Sequence, residues 1–192
     1  MIYDIIIIGA GASGLMLASK LQKSKKIAIV DSNSKIGEKI KISGGAKCNI
    51  TNKYMNENHF LGDKEFIKDT LDNFSEKELL KFLNKNNVYP KIDEKIVKGT
   101  YFCNSSSDVI NIFLKLTKHC HFKLDTKVQD INFDKINNYF EISTNKQTFK
   151  TYKVVVASGG LAYPILGASN IGFEIAKKFN HNIVKPTPAL VG

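Results

Sequence analysis

At 192 residues, 43% of them hydrophobic, the chain can bury a sizeable core and fits one domain or a large part of a two-domain enzyme. It carries 28 basic against 18 acidic residues, a formal net charge of +10, and every lysine-or-arginine position is lysine. No apolar run approaches the roughly 20 residues of a membrane helix, so the chain reads as a cytoplasmic protein with no membrane partner.

The first element is the most informative. Tyr3-Asp4-Ile5-Ile6-Ile7-Ile8 is apolar on both faces, as a buried parallel strand must be. It is not a secretory leader: no basic segment precedes it, Asp4 interrupts it, and glycines end it. The strand runs into Gly9-Ala10-Gly11-Ala12-Ser13-Gly14, a Gly-x-Gly-x-x-Gly turn, and Leu15 to Leu21 then reads as a helix. In this setting Gly9 permits the tight turn, Gly11 lets a pyrophosphate approach the backbone, and Gly14 lets helix and strand pack closely. The pyrophosphate would sit on the amides at the helix start, where the macrodipole favours negative charge. A second strand, Lys26 to Val30, ends in Asp31, about 20 positions past the glycines, where a ribose-binding carboxylate is expected. A carboxylate accepts hydrogen bonds from a 2′-hydroxyl and repels a 2′-phosphate, so FAD or NAD fits this turn better than NADP.

Next comes a polar, glycine-containing stretch, Ser32 to Asn52. Helices are predicted over Lys64 to Asn73 and from Ser75, whose spacing to Glu78 makes a capping box ahead of Leu79, Leu80, Phe82 and Leu83. Pro90 ends that piece, and Lys91 to Cys103 reads as one or two short strands. Ser105-Ser106-Ser107-Asp108 caps a helix carrying Val109, Ile112 and Phe113. Phe122 to Leu124, Val128 to Ile131, Tyr139 to Ile142 and Phe149-Lys150 alternate like a small antiparallel meander, with Asn137-Asn138 turning between two of them. Val154-Val155-Val156-Ala157-Ser158-Gly159-Gly160 is a second buried strand ending in small residues, and a last helix runs from about Asn170 to Phe179. The predicted class is α/β, a doubly wound Rossmann-like sheet interrupted by a meander. The small residues 157–160 leave room for a cofactor at the carboxyl edge of the sheet.

A longer match carries more. Gly37-Glu38-Lys39-Ile40-Lys41-Ile42-Ser43-Gly44-Gly45-Ala46-Lys47-Cys48-Asn49-Ile50-Thr51-Asn52 resembles the Gly-x-Lys, Ser-Gly-Gly-Gly-Arg-Cys-Asn-x-Thr-Asn pattern of the HI0933-like, or aminoacetone oxidase, family of FAD-binding flavoproteins. The resemblance continues at Gly99 to Ser105, at Ala157 to Gly160, at Tyr163-Pro164, at Gly167 to Gly172 and at His181 to Val191. There are departures: Ala46 and Lys47 replace a family glycine and arginine, Thr100 an arginine, and Cys103 a proline. Lys47 keeps the charge but loses the planar fork, and Thr100 loses the charge.

The resemblance implies an FAD-binding domain over residues 1–185, with a helical and extended insertion at 53–104 and the meander at 121–150. Family members run to about twice this length. Residues 186–192 would then open a further substrate domain, and the chain alone would hold FAD weakly and turn over little. The implied cofactor site draws on Gly9, Ala10, Gly11, Ala12, Ser13, Gly14, Asp31, Ser32, Lys39, Ser43, Gly44, Val128, Ala157, Ser158, Gly159 and Gly160. Lys39 could neutralise phosphate as a point charge, and Ser43-Gly44-Gly45 offers backbone amides.

The implied activity is a flavin-dependent oxidoreductase passing hydride through flavin N5 to or from a small organic substrate, with NAD(P)H as an electron donor. Two alternatives stay open. The +10 charge permits modification of a uridine in structured RNA, although arginine, the usual phosphate grip, is missing. A non-catalytic nucleotide-binding module is the other. Three cysteines, Cys48, Cys103 and Cys120, with no Cys-x-x-Cys, point to reduced thiols. Cys48 reads as packing rather than redox chemistry. His119-Cys120-His121 is expected to hold no metal, because in an extended segment the histidines and the cysteine point opposite ways.

Overall fold

The computed structural model describes residues 1–45, 47–92 and 98–187. The chain divides into two compact units, one of residues 1–36 with the chain from 117 onward, the other Gly37–Leu116.

The first unit is built on strand β1 (Ile2–Ile8), helix α1 (Ala12–Lys20) and strand β2 (Ile27–Val30). β1 and β2 pair in parallel, Ile5 opposite Ile27 and Ile8 opposite Val30. Adjacent Ile6 and Ile7 are both fully buried, so both faces of β1 are covered, as its unbroken apolar run requires. Asp4 does not break the strand, because its carboxylate accepts the Lys26 amide at 2.7 Å beside the first rung.

The second unit follows in the sequence with helix α2 (Glu38–Ile42), strand β3 (Asn49–Asn52), helices α3 (Lys64–Asn73) and α4 (Glu76–Lys85), strands β4 (Lys91–Ile92) and β5 (Thr100–Phe102), and helix α5 (Ser106–Leu116). It therefore includes α2, β3 and α5 as well as residues 53–104. Its strands pair antiparallel in the order β3-β5-β4. The Ser75–Glu78 capping box forms in both directions, and Asp63 caps α3 by accepting the Phe66 amide at 3.0 Å. Ser105 Oγ accepts the Ser107 amide at 3.1 Å at the start of α5. Phe82 and Phe113 stack at 6.1 Å between centroids, and Leu83, Val109 and Ile112 are buried as well. α2 and β3 fall inside the stretch read as a polar segment. Only Ile40 of α2 and Thr51 of β3 are buried, too few apolar residues to show a period.

The chain returns to the first unit with strands β6 (His121–Lys123), β7 (Val128–Asp134), β8 (Tyr139–Thr144) and β9 (Thr148–Val156), then helix α6 (Ile171–Lys178). Among the described residues the sheet order is β6-β2-β1-β9-β8-β7. Two expectations are corrected here. Phe122 to Leu124 does not open the meander, because β6 pairs in parallel with β2 at the opposite edge, Ala28 facing His121. Phe149-Lys150 and Val154 to Val156 are one strand, not two. β9 pairs antiparallel with β8 from Thr148 to Thr151 and parallel with β1 from Lys150 to Val156. The β7–β8 turn is where Asn137-Asn138 predicted it. Asp134 Oδ1 accepts the Ile136 and Asn137 amides at 2.9 and 3.0 Å, and Asn138 takes φ +55°. Tyr3, Ile6, Ile8, Ala28, Val30, Val128, Ile131, Ile142, Phe149 and Ile175 form the core on one face.

The described residues stop at 187, so residues 188–192 of the Pro-x-Pro-Ala-Leu-Val match lie outside them, as do Ala46 and residues 93–97 of the predicted Lys91 to Cys103 strands. No described helix is long and apolar enough to cross a membrane.

Candidate cofactor site

The site grows from the carboxyl ends of three neighbouring strands, β2, β1 and β9. The Gly9 amide donates to the Val30 carbonyl at 2.8 Å, and the Ala157 amide donates to the Ile8 carbonyl at 2.8 Å, so the glycine turn is tied to both neighbours. Gly9 has φ +112°, and a Cβ there would run into the Ala157 carbonyl oxygen. A Cβ on Gly14 would run into the carbonyl of Gly9, so the helix start is pressed against the turn. These two glycines are required by close approach alone.

Gly11 differs. It is the N-cap of α1, no side chain caps that helix, its first turn holds no acid, and nothing lies within 4 Å of where its Cβ would be. The amides of Ala12 and Ser13 thus open a helix beside empty space. Such an end attracts an anion.

Asp31 closes one side. Its Oδ2 accepts the Ala10 amide at 2.6 Å and its Oδ1 accepts the Asn33 amide at 2.8 Å. A carboxylate has about four acceptor positions, so two remain for hydroxyl donors. Asn33, which sequence reasoning passed over, locks this corner: its Nδ2 donates to the Leu166 carbonyl at 3.1 Å, and its carbonyl accepts the Asp125 amide at 3.0 Å. The signal was present in Asp31-Ser32-Asn33, residues that fold back on their own backbone after a strand. Ser32 lies beside it, its Oγ 3.1 Å from where a Cβ on Gly167 would stand.

On the other side Ala157 and Ser158 are half-buried, and Gly159 and Gly160 are exposed. Ser158 Oγ lies 2.6 Å from where a Cβ on Gly172 would stand, so α6 begins close against this strand end. Val128 is buried in the core, which leaves its main chain as the part able to meet a ligand.

Lys39, Ser43 and Gly44 belong to the second unit. Lys39 is half-exposed on α2. Ser43 ends that helix, its carbonyl accepting the Cys48 amide at 2.9 Å, and the Lys47 amide donates to the Gly44 carbonyl at 3.2 Å. These bonds tie Ser43 to Cys48 and Gly44 to Lys47 between α2 and β3, and Cys48 sits in the left-handed region at φ +59°.

Burial raises the Cys48 thiol above its ordinary range. Burial, then the neighbouring Cys48 and Asp108, push Cys103 up to about 12. Burial pushes Cys120 up to about 11. Protonated thiols at neutral pH are poor nucleophiles, in keeping with packing. Among the described residues no group of three or more His, Cys, Asp or Glu is placed to hold a metal. The geometric premise for His119-Cys120-His121 needs correction: Cys120 lies in a turn, its amide on the Thr117 carbonyl at 2.9 Å, and only His121 is in a strand. Cys120 Sγ is 3.6 Å from His119 Nε2, whereas His121 Nδ1 faces the Tyr3 hydroxyl at 3.3 Å.

Comparison with known proteins agrees with this geometry. The HI0933-like protein Rossmann domain matches residues 3–190. The chain is 33% identical over 196 residues to the ribosomal RNA dihydrouridine synthase of Escherichia coli strain K12, covering 98% of this chain and 47% of that protein. It is 28% identical over 192 residues to the 3-dehydro-bile acid delta(4,6)-reductase of Clostridium scindens, covering 96% of this chain and 46% of that protein. The chain thus spans about half the length of the curated relatives it matches. Among solved structures, an open flavocytochrome c3 fumarate reductase superposes with a TM-score of 0.58 at 16% identity, over 92% of this chain and 40% of that one, a likeness of fold. The domain is a Rossmann domain of the FAD-binding kind. The uncapped helix start, the open space at Gly11 and the carboxylate at the end of β2 fit that cofactor.

Proposed function

The chain belongs to the HI0933-like Rossmann family, and on that premise we propose that it is the FAD-holding part of a flavin-dependent reductase acting on a uridine of structured RNA. The observation that carries the flavin part is the open, uncapped N-terminus of α1 beside Gly11, flanked by Asp31. In this reading the Gly11, Ala12 and Ser13 amides hold the pyrophosphate, with the Gly9 and Gly14 close contacts fixing the turn. Asp31 accepts the ribose hydroxyls, helped by Ser32, while its bond to Ala10 keeps the loop in shape. Ala157, Ser158, Gly159 and Gly160 leave the cofactor room to pass, and the Val128 main chain borders its adenosine end. When bound, FAD supplies hydride transfer. NAD(P)H is the proposed reductant.

Two observations favour the RNA substrate over the small molecule first expected. A relative named for ribosomal RNA dihydrouridine synthesis matches nearly the whole chain, and the net charge of +10 suits a polyanion. Reduction of the uracil C5=C6 bond, conjugated to a carbonyl, adds a hydride and a proton. The Clostridium relative supports a second reading in which the reduced bond belongs to an unsaturated ring ketone.

The test gives the full-length, FAD-loaded protein NADPH and either unmodified ribosomal RNA transcript or a cyclic enone. Dihydrouridine detected by mass spectrometry, with the enone poorly used, is the expected result. RNA left unchanged while the enone is reduced overturns the RNA reading.

A further inference from the structure

The second unit contains a cleft of about 450 Å³ lined by Asn52, Tyr54, Met55, His59, Phe60 and Lys98. Tyr54 is anchored in it through its main chain, by way of the Asn52 side chain. Its ring lies over Gly99, where a Cβ would come within 2.7 Å of it. Its amide donates to Asn52 Oδ1 at 2.9 Å. Asn52 Nδ2 donates in turn to the Lys98 carbonyl at 2.9 Å and the Thr100 hydroxyl at 3.2 Å, and the Lys53 amide donates to the Gly99 carbonyl at 2.8 Å. Segments 52–54 and 98–100 are thereby stitched together under the ring. Yet Tyr54 is 48% exposed. A tyrosine ring resting on the main chain and left half-open presents an aromatic surface to whatever enters.

Two cations flank the ring. The Lys53 and Lys98 ammonium groups each lie 5.8 Å from the centre of the Tyr54 ring. Among the described residues lining the cleft, none is acidic. On the far side Lys64 Nζ donates to the Glu57 and Phe60 carbonyls at 2.9 and 2.5 Å, pinning the short turn that carries His59 and the exposed Phe60.

We propose that this cleft takes one unstacked base of single-stranded RNA, stacked on Tyr54, with the flanking phosphates on Lys53 and Lys98. A base brings a π-face for the ring and a phosphate on either side for the two cations, the combination by which single strands are held. An apolar peptide would leave both ammonium groups unneutralised. The proposal rests on the RNA reading of the substrate and says where that RNA is gripped.

The experiment measures fluorescence anisotropy of a labelled oligouridylate of about 12 nucleotides, long enough to span such a groove, on the full-length, FAD-loaded protein. Tyr54→Ala should weaken binding at least about fivefold, the low end of one lost base stack, while Tyr54→Phe stays within about twofold. The Lys53→Gln, Lys98→Gln pair should flatten the slope of log affinity against log salt by about 1.4, two phosphates' worth for a single strand. Binding unchanged in Tyr54→Ala, a salt slope unchanged in the lysine pair, or displacement of the oligonucleotide by saturating NADH would each overturn the proposal. Binding is read without turnover, so the two readings fail separately. Tyr54-dependent binding with no uridine reduced supports the cleft and sinks the substrate reading. Uridine reduction with Tyr54→Ala binding intact does the reverse.

Discussion

Replacing Asp31 with asparagine separates the two jobs given to that carboxylate. In the native protein its two oxygens accept two backbone amides, Ala10 at 2.6 Å and Asn33 at 2.8 Å. An asparagine offers one oxygen and sets an NH₂ where the other stood, so one donor must face a donor. Ala10 is 1% exposed, and a buried amide left without an acceptor costs about 1–3 kcal/mol. The FAD-free protein should therefore lose about 2 kcal/mol, or about 4–8 °C in Tm for a chain of this length. Binding should suffer separately. Loss of one charge-assisted bond to a ribose hydroxyl is worth about 1.5–3 kcal/mol, which is about 10- to 150-fold in affinity. Flavin fluorescence quenching on titration gives the affinity, and urea melts of the FAD-free protein give the stability. An affinity within about threefold of wild type, under about 0.7 kcal/mol, refutes the ribose role even if stability falls. Unchanged stability refutes the strap between Asp31 and the glycine turn.

Gly9→Ala should be far more damaging than Gly11→Ala, because only at Gly9 does the new Cβ meet the Ala157 carbonyl and a φ of +112°. Melting both variants without FAD and finding equal losses would contradict the close-approach argument, while Gly11→Ala should act on FAD affinity. The buried thiols predict an alkaline limb. Their ordinary value is 9.0, and in the folded protein Cys103 stands near about 12 and Cys120 near about 11. A pKa raised by folding gives stability that is complete below pH 9.0 and is lost as the pH climbs through the folded values. Urea melts from about pH 8 upward should fall less steeply for a Cys103→Ala, Cys120→Ala protein, and parallel curves would show that ionisation of these thiols does not matter.

How much of this was legible depended on how far apart the cooperating residues are in sequence. The glycine turn, Asp31 and the Ser75–Glu78 box are each local, and each carries its own geometry: a strand feeding a turn, an acid ending a strand, a hydroxyl three residues before a glutamate. The failures are non-local. β6 has only three residues, and nothing in His121-Phe122-Lys123 says whether its partner is β2, far back in the chain, or β7, just ahead. β9 reads as two strands because Thr148 to Thr151 alternate against β8, while Val154 to Val156 are continuously apolar beside β1. The local fold-back of Asn33 onto Asp31 could be read, but its bond to the Leu166 carbonyl, far away in sequence, could not. Lys39, Ser43 and Gly44 came only from resemblance, since a short polar loop has no periodicity to read.

The placement of β1 has a consequence for how the protein is made. Among the described strands of this sheet β1 leaves the ribosome before the others, and β9, which pairs along it, follows last. Until then Ile5 to Ile8 have at most β2 to pair with, and four consecutive isoleucines are the kind of segment that recruits other chains. Closing the sheet means joining residues from opposite ends of the described chain, a slow, entropy-limited step. The second unit, whose pairings all lie within Gly37–Leu116, has no such delay. Asp4 then acquires a role in the nascent chain: a charge inside the strand that discourages intermolecular stacking and, once Lys26 is in place, is absorbed by its amide.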